Sequence, residues 1–383
     1  MRLLHTSDWH VGKTIRGHSR HNEHVEALDE IVNIADEREV DVVLVAGDLF
    51  ESAAPNPDSE SLVYDTLLRL ANNSRHVAVI AGNHDNGRRL TAVAPLLDLA
   101  NIAMVTEPLA PADGGVRSID VAGERLNLAM LPFVSQRGIV RASELMQGAA
   151  FQHAQIYAKR MAALIEVLTS GFDPDSVNVV LAHAFVLGGT AGGGERAAHL
   201  IDEYAISSQA FPPTASYIAL GHLHRPQKIP GGSPIHYCGS PLQLDFGEQR
   251  QAKQVNVIDV APGKPARVDA VTLHSGRGLR TVSGTIDELR SKAEELREDW
   301  LRIRVDEAPR SDLAGDVRAL LGDRVVDVEL QQSNTSDAER PERRLGRDPL
   351  DAFTEYLDEL GIEDERLTSL FVQLLEDDAQ AAT

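Results

Sequence analysis

Residues 76–85 read HVAVIAGNHD, an apolar run that ends in Gly82, Asn83, His84 and Asp85. A short run without polar alternation is a strand covered on both faces, which belongs to an α/β sheet. Four other segments repeat the design. LLHTSDWH (3–10) ends in Asp8 and His10, VVLVAGD (42–48) in Asp48, VNVVLAH (177–183) in His183, and YIALGHLH (217–224) in His222 and His224. In such sheets ligands bind beyond the carboxyl ends of the strands. Five strand ends delivering Asp, Asn and His to one edge therefore describe a single site assembled from segments distant in sequence. Gly47, Gly82 and Gly221 stand just before these residues, where a strand must turn tightly and let a substrate approach.

The residue types point to metal. Imidazole and carboxylate without thiolate suit a borderline or hard divalent ion such as Mn²⁺, Fe²⁺ or Zn²⁺; the expectation is Mn²⁺, with Mg²⁺, Fe²⁺ or Zn²⁺ as alternatives. There are too many ligands for one ion. A carboxylate such as Asp48 can bridge two ions about 3.5–4 Å apart, the arrangement suited to displacement at a phosphate ester. No fragment establishes this alone, since Asp-x-His and Gly-Asp are common in ordinary loops. The joint occurrence, each fragment at a strand terminus, carries the argument.

The 383 residues are enough for two or three domains. Lys and Arg number 37 against 58 Asp and Glu, a net charge of −21, which speaks against a nucleic-acid coat or an anionic-membrane binder. It does not exclude an enzyme of nucleic acids, because bound cations can outweigh a distant acidic surface. One cysteine, Cys238, rules out an internal disulfide framework. No apolar run reaches the roughly 18 residues of a membrane span, and MRLLHTSDWH lacks the longer apolar stretch expected of a signal peptide. The expectation is a cytoplasmic protein that does not engage membranes.

Helical periodicity alternates with the strands. Val25, Leu28, Ile31, Val32 and Ala35 form one stripe, and further helices are predicted near 61–70, 88–99 and 150–168. After Gly221 come strands separated by Gly and Pro turns (PGGSP, APGKP), which read as a second, more antiparallel sheet. HSGRGLR (274–280) opens a smaller βαβαβ unit whose first helix begins with the capping-box spacing Thr285–Glu288. Residues 331–347 lack apolar periodicity and read as a linker. Asp348-Pro349 then starts one amphipathic helix (Leu350, Phe353, Leu357, Leu360), Gly361 stops it, and a second follows (Leu367, Leu370, Phe371, Leu374, Leu375).

Asp8-x-His10, Gly47-Asp48, Gly82-Asn83-His84-Asp85, Ala182-His183 and Gly221-His222-x-His224 together resemble the calcineurin-like metallophosphoesterase superfamily. MRLLHTSDWHVGK, VVLVAGDLF, LAHAFVLGG and the acidic C-terminal helices resemble more narrowly its SbcD branch, the nuclease subunits of bacterial SbcCD complexes. The resemblance covers nearly the whole chain. It implies an α/β (α+β) fold, a two-sheet sandwich flanked by helices over 1–275. A DNA-facing cap over 276–335, a linker over 336–347 and a helical segment over 348–383 that docks on an SbcC-type ATPase would follow.

The resemblance assigns Asp8, His10, Asp48 and His224 to one metal, and Asp48, Asn83, His183 and His222 to the other. His84 would stabilise the transition-state phosphate or protonate the leaving oxygen, and Asp85 would brace its loop. Archaeal and eukaryotic relatives carry a histidine, implicated in exonuclease action, where this chain has Glu51. Bacterial relatives commonly have an acid there, so Glu51 reads as a supporting residue. Lys13, Arg16, Arg88 and Arg89 follow the metal motifs and could grip DNA phosphates. The related nucleases dimerise through the region of the apolar-rich helices near 61–70 and 88–99. Resemblance thus implies a homodimer and a 2+2 heterotetramer with the ATPase.

The implied activity is two-metal hydrolysis of DNA phosphodiesters, exonuclease and endonuclease on ends and hairpins, in double-strand-break repair and recombination. The competing readings are another calcineurin-like esterase acting on small phosphate esters, and a mainly structural DNA-end tether. The other histidines (His5, His18, His21, His24, His76, His236) read as surface or satisfied core. Cys238 reads as a small buried hydrophobe. GGTAGGGER (188–196) lacks the Gly-Lys-Ser/Thr of a phosphate-binding loop and reads as a mobile loop near His183.

Overall fold

Alternate residues of the apolar runs face opposite ways, so one run can feed two cores at once. Leu3, Val42, Leu44, Ala78 and Ile80 pack with Leu126, Leu128, Val179, Leu181 and Ala219 between two sheets. Their neighbours Leu4, Val43, Val45, Val77 and Val79 pack outward. There they meet helices α1 (His21–Glu37) and α2 (Pro57–Leu70), with α3 (Gly87–Asp98) covering the same side. On the far side, Ala129, Leu131, Val180, Ala182 and Leu220 meet Tyr157, Met161 and Ile165 of α4 (Ala150–Thr169). The result is a helix–sheet–sheet–helix sandwich. The computed structural model describes residues 1–135 except 122, 150–195, 205–330 except 265, 294, 297 and 311, and within the tail Phe353, Thr354, Leu357, Leu367 and Phe371.

The first sheet runs, in spatial order, Arg267–Thr272, Gln254–Asp259, Arg2–Thr6, Val42–Val45, His76–Ile80, Ile102–Val105. The last four are parallel, so the ends of three of them present Asp8, Asp48 and Asn83 at one edge. The second sheet runs Gln227–Ile229, Ile235–Tyr237, Tyr217–Gly221, Val177–His183, Glu124–Leu131, Val116–Val121. Its Val177–His183 and Tyr217–Gly221 are parallel and bring His183 and His222 to the same edge.

The strands after Gly221 correct the sequence reading, because they do not form a sheet of their own. Ile235–Tyr237 extends the second sheet in parallel, with Gln227–Ile229 antiparallel beyond it. Gln254–Asp259 instead crosses to the first sheet and pairs antiparallel with Arg2–Thr6, Leu4 opposite Val257. Turn residues specify the 254–272 hairpin locally; which sheet edge it joins depends on a partner at the other end of the chain.

Leu279–Gly284, Trp300–Val305 and Val325–Leu330 form a parallel three-stranded sheet. α5 (Ile286–Lys292) and α6 (Leu313–Leu321) connect the strands over a separate core of Leu289, Leu301, Ile303 and Val317. The capping box is present, Thr285 accepting from the Glu288 amide and Glu288 from the Thr285 amide. The chain divides into two compact units, Met1–Gln331 and Gln332–Thr383. In the second, Phe353 and Phe371 stack with ring centroids 4.1 Å apart. The expected linker over 336–347, residues 331–335 and most of both tail helices lie outside the described residues. Among the described residues no helix is long and apolar enough to cross a membrane.

Candidate metal centre

Just past the strands the backbone bends into conformations that side-chain-bearing residues rarely adopt. Asp8 (φ 53°), His10 (φ 48°), Asp48 (φ 51°) and His222 (φ 104°) all have positive φ. Each such residue costs on the order of 1–3 kcal/mol and persists only where its surroundings over-determine it. The Asp8 amide donates to the Gly47 carbonyl (2.9 Å), that of His10 to Asp48 O (3.0 Å) and that of His222 to Asp8 Oδ1 (2.9 Å). Gly82 and Gly221 permit this closeness. A Cβ on Gly82 would strike the Asp48 carboxylate, and one on Gly221 the Ala46 carbonyl.

The expected residues converge. Asp8, His10 and His224 present donor atoms within 4.8 Å of one another, as do His10, Asp48 and His84, and likewise Asp8, Asp48 and His183. Asp48 stands between the groups, its Oδ2 3.6 Å from His10 Nε2 and 3.5 Å from His183 Nε2. Asn83 Oδ1 lies 2.9 Å from His183 Nε2 and 2.7 Å from His222 Nδ1. All these side chains are buried except Asn83, which is half-buried.

The histidines are held from behind. His183 Nδ1 donates to the Ala46 carbonyl (2.7 Å), which commits its proton there and turns Nε2 toward Asp48 and Asn83. His10 Nδ1 is 2.9 Å from Glu51 Oε2, and His84 Nδ1 donates to the Glu51 carbonyl (2.8 Å). A carboxylate or carbonyl behind an imidazole is the usual means of fixing a metal ligand's tautomer and aim. Glu51 serves two rings at once and also accepts from Lys13 Nζ (2.8 Å). Burial would push the Glu51 carboxyl up, but His10 and Lys13 outweigh it and hold the group down at about 2.

These residues fit a pair of divalent cations. Among the described residues His10 Nε2 is buried with no hydrogen-bond partner, 3.6 Å from Asp48 Oδ2. Burial opposes protonation of His183, yet Asp48 beside it prevails and raises it to about 9. Two buried carboxylates and several imidazole lone pairs thus converge on space that calls for positive charge.

Asp85 takes no part in the converging set. Its carboxylate accepts from the amides of Gly82 (2.8 Å), Phe50 (3.1 Å) and Leu49 (3.2 Å), clamping the two ligand loops together. Burial, with Asp48 nearby, pushes it up to about 6. The basic residues are differently placed. Lys13 is bound to Glu51, Arg16 to Asp327 (3.1 Å), and Arg89 to Glu60 through two hydrogen bonds (2.7 and 2.8 Å), while Arg88 is exposed. Cys238 is fully buried against Ser7 Oγ (3.1 Å).

Four residues were missed by sequence reasoning. Glu248, fully buried, meets His224 Nδ1 (3.1 Å) and Lys253 Nζ (2.6 Å). The glycine-rich loop lies against His224. It folds around Glu195, which accepts from the amides of Gly192 (2.6 Å), Gly193 (2.8 Å) and His224 (2.9 Å). Phe133 sets its ring against His183 and His222, 6.1 Å between centroids in each case. No local signal announced Glu248: residues 242–248 are loop and a short helical turn, with no strand alternation to place the carboxylate inward.

A family model described as calcineurin-like phosphoesterase matches residues 1–226, and a second, described as Type 5 capsule protein repressor C-terminal domain, matches 275–360. The chain is 35% identical over 312 residues to the SbcD subunit of the nuclease SbcCD of Bacillus subtilis (strain 168), covering 76% of this chain and 77% of that protein. It is 27% identical over 359 residues to the corresponding SbcCD nuclease subunit of Escherichia coli (strain K12), covering 89% and 87% respectively. Among solved structures, a 5'-nucleotidase precursor from Thermus thermophilus aligns with 17% identity over 72% of this chain and 54% of that one, at a TM-score of 0.39.

Proposed function

Because the chain belongs to the calcineurin-like phosphoesterase family, and within it to the SbcD nuclease subunits, we propose that its strand-end cluster cleaves DNA phosphodiesters with two divalent ions, Mn²⁺ by preference. The protein is a hydrolase of phosphodiester bonds. The observation that carries the site reading is the convergence of donor atoms around Asp48 with His10 Nε2 left unsatisfied. Asp8, His10, Asp48 and His224 would hold one ion, and Asp48, Asn83, His183 and His222 the other. Bound there, the ions supply an acidified water and offset the charge of the phosphate.

The chain's own residues do the rest. Asp48 would be shared by both ions, and its Oδ1 accepts from the His84 amide (2.8 Å), so this carboxylate and His84 are set in one frame. His84 Nδ1 is committed to the Glu51 carbonyl, so a proton reaches the leaving oxygen only from Nε2. Glu51 aims His10 and His84 together. Asp85 holds the loops that carry Asp48 and His84 at fixed separation.

In this reading the protein works in the cytoplasm with an SbcC-type ATPase; the relatives are named as subunits of the nuclease SbcCD. We extend the reading to exonuclease and endonuclease modes on DNA ends and hairpins. A 2+2 assembly would join two copies through α2 and α3, with the 279–330 cap facing DNA and the C-terminal helices docking on the ATPase. Contact of Lys13, Arg16, Arg88 or Arg89 with phosphate would exchange a protein carboxylate for the substrate at three of the four.

The test is a Mn²⁺-dependent cleavage assay on hairpin and blunt-ended DNA, with and without the ATPase. His84→Ala is expected to lower cleavage about 10²–10⁴-fold, the usual worth of a positioned proton donor. Cleavage at the wild-type rate would remove His84 from the mechanism. Turnover of small phosphate esters but no DNA would favour the esterase reading.

A further inference from the structure

We propose that Glu248 is a positioning residue for His224, and that the turn carrying it makes this ligand's placement depend on the seating of the 279–330 cap. The inference rests on the reading of His224 as a metal ligand.

The argument starts from a costly arrangement. Glu248 and Lys253 are both buried, and a buried ion pair contributes little net stability against apolar residues of the same volume. Here the pair is aimed. Glu248 Oε1 is 3.1 Å from His224 Nδ1, while Oε2 accepts from Lys253 Nζ (2.6 Å) and the Leu244 amide (3.1 Å). Lys253 Nζ in turn donates to the His224 carbonyl (3.0 Å) and to Ser240 Oγ (2.9 Å). One ion pair thus holds the ring and the backbone of the same residue. Among the described residues His224 has no carbonyl brace of the kind His183 has in Ala46, and Glu248 occupies the equivalent place behind its ring.

The same turn carries the cap. Phe246 is buried in a cluster with Ile15, Leu279, Trp300 and Val326, and the Arg302 guanidinium lies 4.3 Å from its ring centroid. Gln243 Oε1 accepts from the Leu279 amide (2.8 Å) and Gln249 Oε1 from the Thr281 amide (2.9 Å). Phe246 and Glu248 are two residues apart on a short helical turn, Phe246–Glu248. A shift of the first cap strand therefore pulls directly on the residue that aims His224.

The experiment is Mn²⁺ titration of the full chain by calorimetry, with the spectrum of the bound ion recorded by electron paramagnetic resonance. Glu248→Gln keeps the size and removes the charge; it is expected to weaken one of two Mn²⁺ sites about 10–100-fold, as loss of a ligand's supporting partner does, and to change that ion's spectrum. Glu248→Asp should recover part of the loss. Phe246→Ala, at a residue outside the converging donor set, should weaken the same site by several-fold. Gln249→Ala, on the exposed side of the turn, repeats that arm if Phe246→Ala does not fold. Wild-type affinities in Glu248→Gln would overturn the positioning role. Loss in Glu248→Gln with none in the cap-side variants would overturn the coupling. His224→Ala separates the premise: if it too binds both ions as wild type does, the ligand reading itself has failed.

Discussion

His5 and His24 are buried imidazoles that the converging site does not use. Burial, with His236 close to the first and Arg20 to the second, lowers His5 to about 3 and His24 to about 4. The unfolded chain takes up these protons near the ordinary histidine value of about 6.5, so it binds more protons than the folded one as pH falls below that. The stability they permit is complete above about pH 6.5 and is lost progressively toward pH 4. Denaturant unfolding should show a loss of about 2 kcal/mol per such histidine between pH 7 and pH 5. His24→Gln should flatten the slope, and stability unchanged over this range would contradict the account. At this scale the sequence was informative about the candidate ligands and about Glu51 and Asp85 beside them, and silent about the rest of what holds them. Asp8, His10 and Asp48 are legible because each ends an apolar run. Glu248 and Glu195 are not, because a buried carboxylate becomes legible only when its partner, here His224, is known to be near.

Elements show the same division between local and distant information. The strand at His76–Ile80 and the capping box at Thr285–Glu288 are written in adjacent residues and appear where expected. The crossing of Gln254–Asp259 to the first sheet is written in no adjacent residues, since its partner is Arg2–Thr6. α2 and α3 were legible as over-supplied with apolar residues, but not in which face is left over. Val63, Leu67, Leu70, Leu90 and Leu97 enter the core, while Leu68 (47%), Leu96 (68%) and Leu99 (85%) remain exposed. Large apolar side chains left exposed on these two helices are what a homodimer seam would bury. The proposed homodimer predicts a dimeric mass for the wild type at micromolar concentration by light scattering after size exclusion. The double substitution Leu96→Glu and Leu99→Glu should yield a monomer with unchanged thermal midpoint. A strictly monomeric wild type would contradict it.

For the molecule as a whole, charge is divided unevenly. Residues 347–383 hold eleven acidic and two basic residues, a net of −9 out of −21 for the chain. Acidic, amphipathic helices suit recognition in an apolar groove with a basic rim. Deletion of 345–383 is expected to abolish capture by the SbcC-type ATPase while leaving Mn²⁺ binding intact; undiminished capture would move the docking site elsewhere. The central claim concerns the other end of the architecture, where two sheets bring oxygen and nitrogen donors from five strand ends to one edge. It is tested most directly by counting metal: Mn²⁺ titrated into metal-stripped full-length protein, wild type against Asp48→Asn. The account predicts two ions per wild-type chain and a loss of affinity at both positions in the variant, because that carboxylate is shared. Binding of no ion, or two wild-type affinities in Asp48→Asn, would contradict it.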